Sequence, residues 1–469
     1  MTNFEQHALD TKSLQSEVRN FYLQGKKFRI YHGTTNSTRF IKFKKGEYID
    51  ISKFNRVVSL NEKELYILVE PNVPMDKLIE ETLRYGLVPP VVPEFPGITI
   101  GGAVQGGAEE SSSFKYGMVH DCCLEYEIVL GSGEVVTASR EKNPDLFWGI
   151  AASYGSLGIT TLIKLKLIPA KDFVHLTYHP VTSFKGAIEL IKNQSQTGAD
   201  FIDAIMFSKD RGVVMTGTLA DKSPLPTSTF HRAQDDWFYL HADKVLTLNE
   251  NYEEQIPIRD YLFRYDRGAF WMGQYDFKVL RIPFVWFTRY IFNIFFNTRT
   301  LFRIIHETGF SQRYFIQDFN LPSDTTEEFL NIADQKLGIY PLWICPLLPG
   351  KDDLLSANHI NTDLVFNLGI WGEADVDYHR FVELNKFFEQ LSNDLGGRKM
   401  LYAHQYYSED EFWGVYDRTW YNNLREKWAA NKTFPTIYEK TFVSEKYKPS
   451  ILLGIINFLK SPFRARTFK

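Results

Sequence analysis

The sequence predicts an α+β protein with two domains. Strand and helix patterns over residues 1–170 mix without strict alternation, which is typical of α+β proteins and not of a doubly wound sheet. No G-x-G-x-x-G motif leads from a strand into a helix, so a Rossmann site is not expected. At 469 residues the chain is too long for one ordinary core. We therefore expect a first domain over residues 1–170, a second domain over 171–445 and a tail over 446–469.

Composition places the chain among ordinary globular proteins. Apolar residues make up 44% and charged residues 23%, and the net charge of −4 gives no reason to expect a nucleic-acid partner. The three cysteines, Cys122, Cys123 and Cys345, favour a reducing compartment over a disulfide framework. The polar N-terminus has no apolar h-region, and no apolar run is long enough to span a bilayer. We therefore expect neither a secretory signal nor a transmembrane helix.

Two short segments of small residues follow or precede predicted strands. Residues 32–38, His-Gly-Thr-Thr-Asn-Ser-Thr, come directly after a predicted strand over 27–31. Backbone amides and hydroxyls in such a segment suit a phosphate, although an ordinary β-turn has the same composition. Residues 154–159 form a second small-residue turn before a strand over 160–168.

A longer glycine-rich segment lies between these two, over residues 93–117. It carries the pairs Gly101-Gly102 and Gly106-Gly107 and then a run of three serines. Glycines this dense let a backbone approach a bulky ligand closely. A glycine-rich surface loop without a ligand is the alternative, because glycine pairs alone are weak evidence.

Aromatic residues crowd a stretch over residues 261–305. Arg281, Arg289, Arg299 and Arg303 are interleaved with them, and arginine is costly at the centre of a bilayer. Two interpretations stay open: an element at the membrane interface whose arginines reach head groups, and a buried aromatic wall of a large apolar pocket. Both predict a lipid-like ligand. The tail over 446–469 is apolar and then basic, which fits contact with an anionic membrane or a frayed end.

The second domain is expected to contain several regular elements. A helix over 184–194, an apolar strand over 339–346 and a helix over 379–393 are predicted from periodicity. A tyrosine-rich run over 399–407, which contains Tyr402 and His404, is predicted to be strand-like.

The order of the three small-residue segments resembles the FAD-binding domain of the vanillyl-alcohol oxidase or PCMH-type flavoproteins, which has two subdomains and is followed by a cap domain. More specifically, the sequence resembles the Δ24-sterol reductases over most of its length. The resemblance is strongest in PEFPGITIGGAVQGGAEESSSFKYGMVHDCC (93–123) and NPDLFWGIAASYGSLGIT (143–160), and it continues in IYPLWICP (339–346) and MLYAHQYYSEDEFW (400–413).

The resemblance implies bound FAD and a set of residues that hold it. It places the pyrophosphate at the first segment, the flavin along the glycine pairs, polar contacts near the isoalloxazine or ribityl chain beyond them, and backbone contacts at the last turn. The residues implied for the pyrophosphate are Gly33, Thr34, Thr35, Asn36 and Ser37, and those for the flavin are Gly101, Gly102, Gly106 and Gly107. The residues implied for the polar contacts are Glu109, Ser111, Ser112 and Lys115, and those for the backbone contacts are Gly158 and Ile159.

The sequence departs from its relatives in two ways. Related flavoproteins often carry a histidine in the first segment that is joined covalently to the flavin, whereas Asn36 stands at that position here. Asparagine cannot form that bond, so we predict non-covalent FAD. Animal and plant relatives also have an apolar N-terminal segment, whereas this chain starts with a polar helix. We expect membrane association facing the cytosol, at the endoplasmic reticulum in a eukaryote, by some other contact.

The implied reaction is the reduction of a C=C bond in the side chain of a sterol or related isoprenoid lipid. NADPH reduces FAD, the flavin N5 delivers a hydride to one carbon, and an acid protonates the other. Candidate acids are Tyr402, His404, Lys115 and Glu109, with Tyr402 and His404 favoured as facing the flavin from the second domain. An ionised Glu109 would repel reduced flavin. The alternatives are an FAD-linked oxidase or dehydrogenase of another alcohol or isoprenoid, and a non-enzymatic scaffold.

Overall fold

The computed structural model describes residues 2–33, 36–41, 43–248 and 251–448. Thr34, Thr35 and most of the predicted tail lie outside these residues. The protein has an α+β architecture, as the sequence predicts, with one sheet of five strands and one of eight.

Residues 1–170 contain the smaller sheet and the helices around it. Their elements, in chain order, are α1 (Asn3–Gln24), β1 (Arg29–Tyr31), β2 (Tyr48–Asp50), β3 (Val57–Asn61), β4 (Tyr66–Val69), α2 (Met75–Leu83), β5 (Leu87–Val88), α3 (Ile100–Gly106), α4 (Ser113–Tyr116), β6 (Cys123–Val129), β7 (Val135–Ser139), α5 (Pro144–Ile150), β8 (Ile159–Lys166) and β9 (Ile168–Pro169). The five-stranded sheet has the order β3-β4-β8-β6-β7 and is antiparallel throughout.

Helix α1 is fixed at both ends and packs on this sheet. It begins at a capping box formed by Thr2 and Glu5 and ends at Gly25, whose φ is 61°. His7 lies between Glu70 and Glu127, at 2.9 and 3.0 Å from their carboxylates. Although burial opposes it, these two carboxylates raise the pKa of His7 to about 9, so the helix is held by a charged histidine.

Residues 171–448 form the larger sheet and most of the helices. Their elements, in chain order, are β10 (Phe173–Val181), α6 (Phe184–Gln194), β11 (Phe201–Ser208), β12 (Arg211–Ala220), α7 (Phe238–Val245), β13 (Tyr252–Pro257), α8 (Ile258–Leu262), α9 (Gly273–Leu280), α10 (Trp286–Ile291), α11 (Thr298–Thr308), β14 (Tyr314–Pro322), α12 (Thr326–Lys336), β15 (Leu342–Leu347), β16 (Val365–Glu373), α13 (Tyr378–Asp394), β17 (Arg398–Lys399), α14 (Glu409–Val415), α15 (Arg418–Lys427) and α16 (Ile437–Thr441).

The larger sheet is antiparallel, with the order β13-β10-β12-β11-β15-β16-β14-β17. Helices α6, α12 and α13 cover part of it through a core that includes Phe319, Phe329 and Phe388. The sheet therefore leaves Asp318 and Trp371, on β14 and β16, to face the N-terminal part of the molecule.

The last helices return to the N-terminal part of the molecule. Lys427 on α15 pairs with Asp145 on α5 at 2.7 Å, and Lys440 on α16 donates to the carbonyl of Gly155 at 3.1 Å. The C-terminal segment thus closes part of the site formed by residues 1–170, although it is distant from them in sequence. The predicted domain boundary near residue 170 stays a prediction.

One local prediction is wrong, and another resolves into two parts. The run over 399–407, predicted to be strand-like, contains only Lys399 of β17. The glycine-rich segment contains helix α3. In the aromatic stretch 261–305, the first part is buried around Trp271, whereas Trp286 and its neighbours are exposed. The helix over 184–194 matches α6, and the strand over 339–346 largely matches β15.

Candidate functional site

A cavity of about 820 Å³ lies between the two sheets, and we call it the main cavity. Its wall is built from residues of all three small-residue segments, from α11, from β14 and β16, and from Lys440 on α16. Its volume is in the range of sites that bind cofactors and other small molecules.

The glycine pairs shape this wall through the position of α3. Thr99 caps the helix by accepting a hydrogen bond from the Gly102 amide at 3.2 Å. A Cβ added at Gly101 would lie 2.5 Å from Cβ of Pro71, so only glycine lets α3 approach that segment. Gly107 ends the helix with a φ of 69°, which favours glycine. The helix is thereby held against the cavity without side chains that fill it.

Most of the described residues predicted to bind FAD line the main cavity. They are Gly33, Asn36, Ser37, Gly101, Gly102, Gly106, Gly107, Glu109 and Ile159. Tyr402, one of the predicted proton donors, lines it as well. Segments far apart in sequence therefore meet at one site.

Ser111, Ser112 and Gly158 do not line the main cavity. Ser111 lies 3.2 Å from the Tyr261 hydroxyl, and Ser112 donates to the carbonyl of Pro90 at 2.8 Å. A Cβ at Gly158 would lie 2.5 Å from Cγ2 of Ile128, so this glycine serves strand packing. The chain turns away from the cavity after Glu109, which takes both serines into the protein interior.

Lys115 and His404 are also away from the main cavity. Lys115 is at the surface, where it pairs with Asp200 at 2.7 Å. His404 is fully buried, with Nε2 3.4 Å from the Ser311 hydroxyl. Burial and the nearby cations Arg39 and Lys399 lower the pKa of His404 well below its usual range, which keeps the ring neutral. Their positions do not support either as the proton donor.

One part of the wall, which we call the cationic patch, consists of Arg29, Arg39 and Lys440. Burial, together with Arg29, Arg425 and Arg39, lowers the pKa of Lys440 to about 7. Arg39 and Lys440 donate to backbone carbonyls, and among the described residues no carboxylate forms an ion pair with either; Nε of Arg39 has no hydrogen-bond partner. Arg29 lies near Glu439, so it is Arg39 and Lys440, without counter-ions, that favour an anionic ligand.

Another part of the wall, which we call the acidic patch, consists of Glu94, Glu109 and Asp318. Burial, with the nearby charges of Glu110 and Asp318, raises the pKa of Glu94 to about 8. Burial, Asp318 and Glu94 raise the pKa of Glu109 well above its usual range. Two of these carboxyls therefore carry a proton at neutral pH.

Asp318 differs from the other two acids in its hydrogen bonds. Nε1 of Trp371 donates to Oδ1 at 2.8 Å, and the Tyr402 hydroxyl donates to Oδ2 at 2.9 Å. Burial raises the pKa of Asp318 to about 6, although these two donors favour its ionised form. The tyrosine hydroxyl is thus fixed at the cavity wall with its pKa well above the usual range, because of burial and Asp318.

Sequence reasoning missed Glu94, Asp318 and Lys440. Asp318 is the one acid in the buried strand β14, and an acid in such a strand was the available signal. Lys440 belongs to a segment whose return to the N-terminal part of the molecule no local pattern indicates.

Comparisons with known proteins agree with this site. A family model described as an FAD binding domain matches residues 8–139. Over 448 residues the chain is 29% identical to the Δ24-sterol reductase of Homo sapiens, covering 92% of this chain and 86% of that protein. It is 27% identical to the Δ24-sterol reductase homologue of Caenorhabditis elegans, covering 92% and 87%, and 26% identical to the Δ24-sterol reductase of Pisum sativum, covering 86% and 78%.

The chain is thus similar to Δ24-sterol reductases over most of its length. The charge and shape of the cavity wall also fit FAD. The cationic patch suits the diphosphate, and α3 provides a glycine surface that flat rings can approach. Buried Nδ1 of His32 and Nε2 of His306, on residues that also line the cavity, have no hydrogen-bond partner among the described residues.

Proposed function

We propose that this protein reduces a C=C bond in the side chain of a sterol, with FAD as its cofactor and NADPH as the reductant. The observation that carries the proposal is that similarity to Δ24-sterol reductases covers 92% of the chain. It therefore includes the larger sheet and Tyr402, which complete the cavity beside the FAD-binding domain.

The chain's own residues would hold FAD in two ways. Arg39 and Lys440 would bind the diphosphate together with the segment at Gly33, Asn36 and Ser37. The surface of α3 would lie against the flavin ring. When bound, FAD takes a hydride from NADPH and supplies it to one carbon of the alkene.

The acidic patch and Tyr402 would supply the proton for the other carbon. Tyr402 holds its proton at neutral pH and is oriented by Asp318 at 2.9 Å. Glu109 also stays protonated, because burial and neighbouring carboxyls raise its pKa, so the repulsion expected of an ionised Glu109 does not arise. Both groups line the cavity and meet the need for an acid beside an alkene that accepts hydride poorly.

An anaerobic assay tests this function. We expect NADPH to bleach the bound flavin and a Δ24-sterol such as desmosterol or lanosterol to restore its colour, with a product two mass units heavier by mass spectrometry. Reoxidation by oxygen with an alcohol as the reductant, and no reaction with the sterol, would instead indicate an oxidase or dehydrogenase. Failure of the purified protein to bind FAD would indicate a scaffold.

We propose further that FAD is held without a covalent bond. Asn36 lines the main cavity and offers no nucleophilic ring nitrogen to the flavin. Acid precipitation of the yellow protein should leave a colourless pellet and release all of the flavin into the supernatant. A yellow pellet would contradict the proposal.

We also propose that the protein binds a membrane surface through α10 and the turn after it, at the cytosolic face of the endoplasmic reticulum in a eukaryotic cell. Apolar side chains here are about half exposed: Val285, Trp286, Phe287, Tyr290, Ile291 and Ile294. A contiguous exposed group of this kind favours contact with an apolar partner. No helix among the described residues is long and apolar enough to cross a bilayer. Arg289 and Arg299 do not serve this surface, because they pair with Asp236 and Asp76.

Vesicle sedimentation tests the membrane contact. The double variant Trp286→Ser/Phe287→Ser should lose most binding to phosphatidylcholine vesicles, because each side chain contributes roughly 2 kcal/mol when it leaves water. Tyr85→Ser, which removes an equally exposed aromatic on the other part of the molecule, is the control. Equal binding by the double variant would place the contact elsewhere.

A further inference from the structure

A second cavity of about 100 Å³ adjoins the main cavity. Its wall comes from α9, α11 and β14 and consists mostly of apolar side chains, including Leu280, Ile305 and Ile316. Phe302 and Trp371 line both cavities, so these two rings form the boundary between them. An elongated apolar molecule that passes these rings would occupy both spaces.

Asp276 is the one charged side chain on the wall of this second cavity among the described residues. No hydrogen bond or ion pair joins its carboxyl to another described residue, although it lies in the vicinity of Tyr314. Burial alone raises the pKa of Asp276 to about 7. A carboxyl in an apolar pocket without a partner is costly unless a ligand supplies a hydrogen bond.

We propose that the second cavity binds the hydroxylated end of the sterol, with the 3-hydroxyl hydrogen-bonded to Asp276. The inference rests on the proposed function. A sterol is an apolar body with a hydroxyl at one end and the side chain at the other. With its side chain at Tyr402 in the main cavity, its body would pass Phe302 and Trp371, and its hydroxyl would enter the second cavity.

The position of the carboxyl explains how the enzyme would select the direction of the substrate. Apolar walls bind the sterol body in either direction, whereas a buried polar group strongly favours the end that can pair with it. Asp276 would therefore keep the side chain, and not the ring hydroxyl, beside the acidic patch.

Steady-state kinetics with two substrates test the proposal. The substrates are a Δ24-sterol with a free 3-hydroxyl and its 3-deoxy analogue, which lacks only that hydroxyl. Asp276→Leu should raise KM for the free sterol about ten-fold, because one hydrogen bond to a buried acid is lost, and should leave kcat within two-fold. Asp276→Asn, which keeps an acceptor and a donor, should restore most of the affinity. The wild-type preference for the free sterol should disappear in Asp276→Leu.

Two controls separate a failure of this inference from other causes. Asp375→Asn, at an exposed acid after β16, should behave as wild type. Thermal unfolding of Asp276→Leu with FAD bound should show no loss of stability, since an unpaired buried carboxyl is removed. An unchanged KM ratio for the two substrates in Asp276→Leu would overturn the proposal.

A binding measurement keeps the inference testable if no sterol is reduced. Energy transfer from tryptophan to the fluorescent sterol dehydroergosterol reports binding without turnover. Weaker binding to Asp276→Leu than to wild type, with rescue by Asp276→Asn, would support the pocket even where the proposed reaction failed. Equal binding to all three proteins would refute it.

Discussion

The cationic patch and the acidic patch line the same cavity but bury opposite charges. In the cationic patch, burial and mutual repulsion lower the pKa of Lys440 to about 7. In the acidic patch, burial and mutual repulsion raise the pKa of Glu94 to about 8. Burial therefore disfavours the charged form of Lys440 and of Glu94 when no ligand is present.

The difference lies in what relieves each patch. The cations need an anion, which the diphosphate of FAD would supply in the proposed function. Glu94 and Glu109 need no counter-ion, because they keep their protons at neutral pH, and Asp318 is stabilised by its two hydrogen-bond donors. One cavity thus combines a cationic patch that favours an anionic ligand with an acidic patch that holds protonated carboxyls.

The largest effect is expected from removing the hydroxyl that the acidic patch orients. Tyr402→Phe should lower kcat about 10²- to 10⁴-fold, which is the usual contribution of a positioned acid. FAD binding should stay unchanged, because the lost group is not in the cationic patch. Stopped-flow absorbance separates the two half-reactions, and reduction of the flavin by NADPH should keep its rate.

Tyr407→Phe is the matched control for Tyr402→Phe. Tyr407 is buried and donates to the carbonyl of Glu389 at 3.3 Å, but it does not line the main cavity. If Tyr402→Phe reoxidised with the sterol as fast as Tyr407→Phe, Tyr402 would not be the donor. Glu109→Gln would then become the next variant to assay.

A smaller effect is expected in the cationic patch. One variant should weaken FAD binding and raise the melting temperature of the FAD-free protein. Lys440→Met should weaken FAD binding about 10- to 100-fold, because a hydrogen bond between charged groups is lost. The same variant should raise the melting temperature of the FAD-free protein at pH 7 or below. The folded pKa of Lys440 is depressed to about 7, so its charged form destabilises the fold there.

The pH dependence of FAD affinity tests the same role of Lys440. Lys440 loses its proton as pH rises above about 7, so wild-type affinity should fall between pH 7 and 9, and Lys440→Met should be flat. Lys12→Met, at an exposed lysine of α1, should change neither quantity. A loss of stability together with affinity would mean that Lys440 only supports packing.

The contrast between the patches also shows what the sequence allows one to predict. The glycine pairs predicted a close approach to a bulky ligand, which stays a prediction; what the structure shows at Gly101 is a close approach to Pro71, which a Cβ there would meet. Glu109 and Tyr402 were identified through resemblance, and both line the cavity. Lys115 was also identified through resemblance, but α4 directs it to Asp200 at the surface.

The groups that sequence reasoning missed depend on long-range contacts. Lys440 reaches the cavity only because α15 and α16 pack on the N-terminal part of the molecule, as the pair Lys427–Asp145 shows. Asp318 depends on strand order, which sets β14 beside β16 and so brings Trp371 to its carboxyl. Its raised pKa comes from burial, which no spacing of residues reveals.

The remaining expected effect is on stability alone and comes from the acidic patch. The folded pKa of Glu94 is about 8 and lies above its ordinary value, so this group makes the fold less stable as pH rises from about 4.5 to 8. Its contribution to the slope is at most about 1.4 kcal/mol per pH unit. Glu94→Gln should therefore raise the melting temperature at pH 8 and leave it unchanged near pH 4.5.

Glu62→Gln, at an exposed position, should shift neither value. Equal shifts of Glu94→Gln at both pH values would show that Glu94 is not protonated in the folded state, and that the acidic patch holds one proton fewer beside the flavin.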